Sequence, residues 1–479
     1  MELDKYVLLV IVNVIDGTAI AIIPLFKESN MSEKIESESA GHFLHHLNMK
    51  MRQSLFLKLC LIGIILLFCQ IPMMMISALT TNRSSLAYNV EMEIASKWGN
   101  AQHITGPLLA IPIKRVWSER LKDDRIKQHS ELATLFLVPE TLKVTGTMQP
   151  ETRYRGIYEV ILYRSQIEIQ GLFSEAMPAL DDWKPDYANA RICIGITDMI
   201  GLSNISIEAE CSENKAMPGV EANNAPFNSG ISIPIRLPEN GSMPKNGLNV
   251  KATFSLNGCR QLQIAPVGKN TTIALSSPWE TPSFDGNFLP MDREVGKSGF
   301  KASWKINEFN RNIPHKWIAH SKKKEMDMPT AGVSLIKQAN IYAQVTRAAT
   351  YSILIFMIVL ISFLIAERIT KIWMHPLQYC LAALSLVLFY ALTLALSEHI
   401  AFNLSYWLSV AAISVMCVSY CSMIFRKAGA VLGMGIAMLV SYGIIFVILK
   451  MEDYTLLAGA LVMLALLGIL MIMTGRINK

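Results

Sequence analysis

Two kinds of hydrophobic pattern divide the chain. From Leu55 to Leu79, "LFLKLCLIGIILLFCQIPMMMISAL" is apolar almost without interruption. At about 1.5 Å per helical residue it is long enough to cross a hydrocarbon core of roughly 30 Å. From Thr80 to about Arg347 the period shortens to two, the mark of strands with one buried face. "LNVKATFSLNGCRQLQI" sets Leu248, Val250, Ala252, Phe254 and Leu256 against Asn249, Lys251, Thr253 and Ser255, then meets Asn257-Gly258. That dipeptide suits the positive φ angles of a type I′ turn and predicts a hairpin there. "GFKASWKIN" and "ISIEAEC" alternate in the same way. After Arg347 five further apolar segments follow, near Tyr351 to Ala366, Leu377 to Leu396, Leu404 to Phe425, Ala430 to Leu449 and Leu456 to Met473. Most come close to the roughly 20 residues a spanning helix needs, and the first is expected to extend upstream through Ala348 and Ala349.

These patterns predict a membrane α+β fold: one N-terminal anchor helix, a large mainly β domain, and a C-terminal bundle of five transmembrane helices. The boundaries are an extension over 1–50, the anchor over 51–80, the β domain over 81–347 and the bundle over 348–479. A cleaved signal peptide would have a shorter apolar region and a small-x-small cleavage site. Here Ile76 precedes Ser77-Ala78, so the first apolar run reads as an uncleaved anchor. The first 50 residues admit two readings. "YVLLVIVNVIDGTAIAIIPLF", Tyr6 to Phe26, spans as a seventh helix, or it belongs to an upstream extension with the true start at Met49 or Met51.

Composition agrees with the pattern, since 52% of the 479 residues are hydrophobic and only 17% charged, too apolar for an ordinary soluble chain. Where the net charge of +6 lies matters more than its size. Lys50, Arg52 and Lys58 flank the start of the anchor. Arg368 with Lys371, Arg426 with Lys427, and Arg476 with Lys479 then alternate with the mixed or acidic links "SEHIAFN" and "KMEDY". Short basic loops stay in the cytoplasm, so the start of the anchor and the carboxyl terminus are expected there, with the β domain outside. Five of the eight cysteines fall in apolar runs. Cys193, Cys211 and Cys259 lie in the polar part, and three thiols allow at most one disulfide.

Candidate chemistry is sparse. His375 and His399 bracket the segment Leu377 to Leu396, but their separation of 24 residues is about 36 Å of helix, so they cannot share a site. The polar residues at the membrane edges form two groups: Glu367, Arg368, His375, Gln378 and Tyr379 on one side, Glu398 and His399 on the other. Anchoring and inter-helix hydrogen bonds explain them better than a proton relay, which needs ionisable groups at mid-membrane depth. The Ser-x-x-Lys matches at Ser321–Lys324 and Ser334–Lys337 lack the companion motifs of penicillin-recognising enzymes. His42 and His46 in "HFLHHL" have no third ligand at matching spacing, so no metal is expected. Gly429, Gly433, Ala437 and Ser441 recur every four residues, a stripe suited to close helix packing. In "SSPWETPSFDGNFLP", Trp279, Phe284 and Phe288 interleave with proline and glycine. The segment reads either as an aromatic contact surface or as an irregular edge packed on the β core.

Several segments together resemble the CreD family of bacterial inner-membrane proteins. They are "GPLLAIP" from Gly106, "YRGIYEVILY" from Tyr154, "LNGCRQLQIAPVGKNTTIALSSPWETPSFDGNFLP", "GFKASW", "HPLQY" from His375 and "FYALTLALSEHIAF" from Phe389. The resemblance runs from about Arg52 to the last helices. It implies an anchor helix, a periplasmic domain and a carboxyl-terminal bundle. It also implies a role in cell envelope integrity, in a response tied to a two-component system and to antibiotic or colicin stress. It supplies no agreed enzymatic activity, so no catalytic residue, cofactor or metal ligand is carried across. Two features depart from the family: the 50-residue extension, and Trp279-Glu280-Thr281-Pro282-Ser283-Phe284 where Trp-x-His-Pro-Ser-Phe is expected.

The leading expectation is therefore a non-enzymatic inner-membrane protein. Its β domain meets a periplasmic protein or a cell-wall component, its bundle meets the lipid bilayer, and no nucleic acid or cofactor is involved. The alternative is a transporter or flippase-like protein that uses the C-terminal bundle.

Overall fold

In a computed structural model of the chain, the described residues are 54–475, apart from 121–125, 176, 178, 179, 181, 213, 214, 221, 223, 224, 320–327, 337–340 and 451–454. The expectations for Tyr6–Phe26, His42, His46, the basic residues Arg476 and Lys479, and the Ser321–Lys324 motif lie outside them.

The chain opens with helix α1 (Leu55–Trp98). The first strands are β1 (Gln102–Arg120), β2 (Ile126–Leu137), β3 (Thr141–Arg155), β4 (Tyr158–Phe173), β5 (Trp183–Pro185), β6 (Arg191–Ile196), β7 (Leu202–Ala209), β8 (Met217–Pro218) and β9 (Gly230–Pro234). They continue with β10 (Leu248–Cys259), β11 (Gln261–Ala265), β12 (Asn270–Ser277), β13 (Pro282–Gly286), β14 (Asp292–Gly296), β15 (Gly299–Asn307), β16 (Lys316–Ala319) and β17 (Ala331–Leu335). Six helices close the fold: α2 (Ile341–Thr350), α3 (Ser352–Thr370), α4 (Pro376–Ser397), α5 (Phe402–Phe425), α6 (Ala428–Lys450) and α7 (Thr455–Gly475).

The strands form two sheets packed face to face. One has seven strands in the order β14-β15-β12-β3-β4-β10-β7. The other follows β13-β17-β11-β1-β6-β9-β8, with β2 and β5 paired to the outer half of β1 and β16 to β2. Their inner faces share one core, including Ile104, Phe136, Ile192, Phe254, Leu262, Val333 and Trp304. Alternation built these strands as expected: along β15, Phe300, Ala302, Trp304 and Ile306 are buried and Lys301 and Lys305 exposed.

The hairpin expected at Asn257-Gly258 is absent. Strand β10 runs straight through both residues, which pair with Arg164 and Tyr163 of β4. The chain turns two residues later at Arg260 (φ 58°) and crosses to the other sheet as β11. Gly258 serves a close approach: a Cβ there would lie 2.3 Å from the Tyr163 hydroxyl.

Helix α1 also differs from expectation. Residues 81–98, expected to begin the strands, continue the helix without a break to Gly99, so α1 has 44 residues and is about 66 Å long. Its inner half buries Lys58, Ile62, Ile65, Cys69, Met73, Ile76 and Thr80, residues three or four apart that share one face. In the C-terminal part, the first apolar segment does not extend upstream. α2 is a separate short helix, and the chain breaks at Tyr351 before α3. Among the described residues, α1, α3, α4, α5 and α6 are long and apolar enough to cross a membrane. With α7, the C-terminal part has the five apolar helices expected.

Candidate functional site

The polar residues at the bundle's edges fall at two ends, both on α1. At the end nearest the sandwich, Arg83 of α1 meets Glu398, the C-terminal cap of α4, with Nε 3.5 Å from Oε1. Tyr158 of β4 lies next to Arg83. Tyr158 is placed by the two-residue turn Gly156-Ile157 between β3 and β4, where Gly156 takes the left-handed φ of 60°. Tyr342 of α2 completes the group. Burial, then the Glu398 carboxylate, pushes its phenol up to about 12, against a smaller opposing effect of Arg83. Tyr158, and Glu398 after it, likewise raise the Arg83 guanidinium, which stays cationic at every accessible pH. One arginine of α1 thereby joins the β domain to α4. His399 is exposed beside this group.

Beyond Arg83, α1 leans on the outer face of the seven-stranded sheet. Val90, Ile94, Ala95 and Trp98 cover Val160, Leu162 and Cys259. The Trp98 indole donates to the Tyr163 carbonyl (3.3 Å), and the Arg153 and Arg164 guanidiniums sit 4.2 and 5.1 Å from its ring centroid. Glu93 pairs with Arg155, and Glu91 with Arg260 at 3.1 Å. At the helix end, Asn100 donates to Asp198 through its backbone (3.0 Å) and its side chain (2.7 Å), while the Gln102 amide donates to the carbonyls of Asp198 and Asn257. These directional contacts fix the helix axis against the sheet.

At the far end of the bundle, about 25 residues or 37 Å back along α1, Lys58 forms an ion pair with Glu367 of α3. The Tyr379 hydroxyl of α4 donates to the other carboxylate oxygen at 2.7 Å. All three are buried. Glu367 and Tyr379 thus form an inter-helix hydrogen bond inside the bundle, away from water. Burying charges is costly unless they are paired and hydrogen-bonded, and here they are both. The other candidates stay local. His375 caps α4, accepting at Nδ1 from the Leu377 amide (3.2 Å), while Gln378 Oε1 accepts from the His375 amide (2.8 Å). This is a capping box with histidine in the place of serine. Arg368 is exposed.

Aromatic side chains fill the bundle's middle: Phe356, Tyr390, Phe389, Tyr406 and Tyr442 contact one another edge-on or tilted. In the sandwich, Phe284 meets Phe300 and Trp304 at ring distances of 5.7 and 5.9 Å. The Trp279 indole donates to the carbonyls of Thr281 and Ile336, and Phe288 packs against the same core. The three aromatics thus turn inward as an edge, each keeping only part of its surface open. Cys193 and Cys259 are buried and Cys211 exposed, and all three are free thiols.

Sequence reading alone missed Lys58, Arg83, Trp98, Tyr158 and Tyr342. Lys58 carried a signal, as a charge inside an apolar run, but its partner lies 309 residues away.

A family model described as "Inner membrane protein CreD" matches residues 54–479. A curated relative, "Inner membrane protein CreD" of Escherichia coli (strain K12), is 29% identical over 430 residues, covering 89% of this chain and 94% of the relative. Among solved structures, a mutant M1 zinc metallopeptidase from Deinococcus radiodurans matches at 6% identity and a TM-score of 0.21, over 41% of this chain and 42% of that one. The same mutant bound to a Tyr-Ser-Ala substrate matches at 5% identity and 0.20, over 44% and 53%. At those TM-scores the peptidases carry no argument about fold or activity.

Proposed function

Because the chain belongs to the CreD family of inner membrane proteins, we propose that it maintains envelope integrity under envelope or antibiotic stress, as a rigidly mounted periplasmic β domain and not as an enzyme. The anchor is residues 51–80, the β domain 81–347 and the bundle 348–479. The basic loops argue that the β domain faces the periplasm and the carboxyl terminus the cytoplasm. The sandwich makes the contact with a periplasmic protein or a cell-wall component.

The observation that carries this reading is α1 itself. One uninterrupted helix lies in the bundle over its first half and on the sandwich over its last third, with Arg83 joining Glu398 and Tyr158 between them. A flexible tether would serve if the sandwich only needed a membrane address. A stiff strut fits a domain whose orientation or load matters to the bundle.

Inserting Gly-Gly after Ser85 tests this, because it breaks the rod between its two seats. In a strain lacking the protein, the insertion variant is expected to reach parental levels in the membrane and fail to restore tolerance to envelope stress. Full restoration would show that mounting stiffness is irrelevant and remove the basis of the proposal.

A further inference from the structure

Between α5 and α6, at the end of the bundle that holds Lys58 and Glu367, lies a groove of about 770 Å³. Its walls are Val418, Val431, Leu432, Gly435, Ile436 and Leu439, and its mouth is Arg426 and Lys427. Leu432, Ile436 and Leu439 are all more than half exposed. The glycines of the small-residue stripe do not pack a neighbouring helix here: a Cβ at Gly429 or Gly433 would meet nothing within 4 Å. From Gly429 to Leu439 the groove is about 15 Å long, half of a hydrocarbon core of roughly 30 Å. It therefore covers the depth of one leaflet, with its charged mouth at headgroup level.

The charge at the mouth is one-sided. Arg426 forms no side-chain hydrogen bond or ion pair among the described residues, and Lys427 reaches only the Thr370 carbonyl, at 3.4 Å. The one acid buried at this end, Glu367, is held by Lys58 and Tyr379. No acidic residue lines the groove. Two cations above a leaflet-deep apolar slot match a ligand with an anionic head and a hydrocarbon tail.

We propose that this groove binds one anionic phospholipid, with a chain along Val418, Leu432 and Ile436 and its phosphate on Arg426 and Lys427. An arginine fork suits two phosphate oxygens, while lysine adds a point charge. A zwitterionic lipid would fill the slot equally well but would bring its own ammonium to the cationic mouth.

The test uses the full-length protein in nanodiscs, with phosphatidylglycerol titrated into a phosphatidylcholine background and bound lipid counted by native mass spectrometry. The parent protein is expected to retain one phosphatidylglycerol in preference to phosphatidylcholine. Arg426→Gln with Lys427→Gln should weaken that preference roughly thirtyfold, at about 1 kcal/mol for each basic residue near an anionic surface. Gly435→Leu is a second variant, because the added side chain enters the groove and a Cβ there meets only Val418, at an ordinary 3.5 Å. It should reduce retention of both lipids with the melting temperature unchanged. Equal retention of the two lipids by the parent, or unchanged phosphatidylglycerol binding in both variants, overturns the proposal. So does a dimer through this face that excludes lipid, since it makes a second copy the occupant.

Discussion

The pair of Lys58 and Glu367 gives the sharpest test of how the bundle is held. Their side chains are 6% and 4% exposed, and the carboxylate has a second partner in Tyr379 at 2.7 Å. Removing one member of a buried pair typically costs about 3–5 kcal/mol because the other charge stays buried without compensation. The two truncations should nevertheless differ. Lys58→Met leaves Glu367 on a short side chain beneath Tyr379, unable to reach water, and should cost that full amount. Glu367→Leu leaves Lys58 one turn from the start of α1, where a long side chain can stretch toward the headgroups. Its main loss is the acceptor of the Tyr379 hydroxyl, about 1–3 kcal/mol. The double variant contains no charge to strand, so it should cost no more than Glu367→Leu alone. Reversible unfolding of the four proteins in the same detergent closes the thermodynamic cycle. If the double variant costs the sum of the two singles, the residues are independent and the buried pair does not organise this end of the bundle.

Gly258→Ala should destabilise the sandwich by about 1–3 kcal/mol, because the new methyl meets the Tyr163 hydroxyl at 2.3 Å; an unchanged melting temperature would mean the glycine is there for another reason. Tyr390→Phe removes a buried hydroxyl that has no partner among the described residues. It should be neutral or stabilising by up to about 1–3 kcal/mol with stress tolerance intact, whereas a transporter using that hydroxyl would lose function. In intact spheroplasts a membrane-impermeant maleimide should label exposed Cys211 quickly and buried Cys193 and Cys259 slowly. Burial first, then Glu91, holds the Cys259 thiol up at about 12, and failure to label Cys211 would contradict a periplasmic sandwich. Arg155, then Lys97, holds the Glu93 carboxyl down at about 2. A depressed folded pKa stabilises above the unfolded value near 4.5 and is lost as pH falls toward 2. The melting-temperature gap between the parent and Glu93→Gln should therefore hold from about pH 7 to 5 and close below about pH 4.5.

Much of this fold is legible because its signals are local. Alternation of two residues placed β10 and β15, and unbroken apolar runs marked the spanning helices, since each pattern needs only one buried face or a surrounding solvent of lipid. The losses are equally physical. Residues 80–98 contain Thr80-Thr81-Asn82 and Ser84-Ser85, poor helix formers that ended the apolar run. The helix continues because Val90, Ile94, Ala95 and Trp98 find a sheet to cover, a tertiary cause that outweighs propensity. Asn257-Gly258 carried a turn signature for a different reason, the Tyr163 ring, while the actual turn falls on Arg260, a residue with no turn signature. Glu367 and Tyr379 were visible as candidates, but their burial depends on a lysine far away in sequence, which no periodicity reports. His375 was visible too, and its side chain caps α4.

The two ends of the bundle differ in a way that bears on what moves. Lys58, Glu367 and Tyr379 are sealed, so any change there strands a charge and meets a barrier of several kcal/mol. Arg83 is 40% exposed and its pair with Glu398 is 3.5 Å long, a geometry that is cheap to break and remake. Farther out, Trp98 is held by two guanidiniums, a backbone carbonyl and an apolar patch. Between those seats, Thr81, Asn82, Ser85, Leu86, Tyr88 and Asn89 are exposed, and α1 stands there with little lateral support. Tilting of the sandwich would therefore concentrate in this stretch, at the level of Arg83, with both anchorages intact. The Arg83–Glu398 pair is the contact such a tilt would alter first, so load on the sandwich would reach the bundle at the Glu398 end rather than at the sealed Glu367 end.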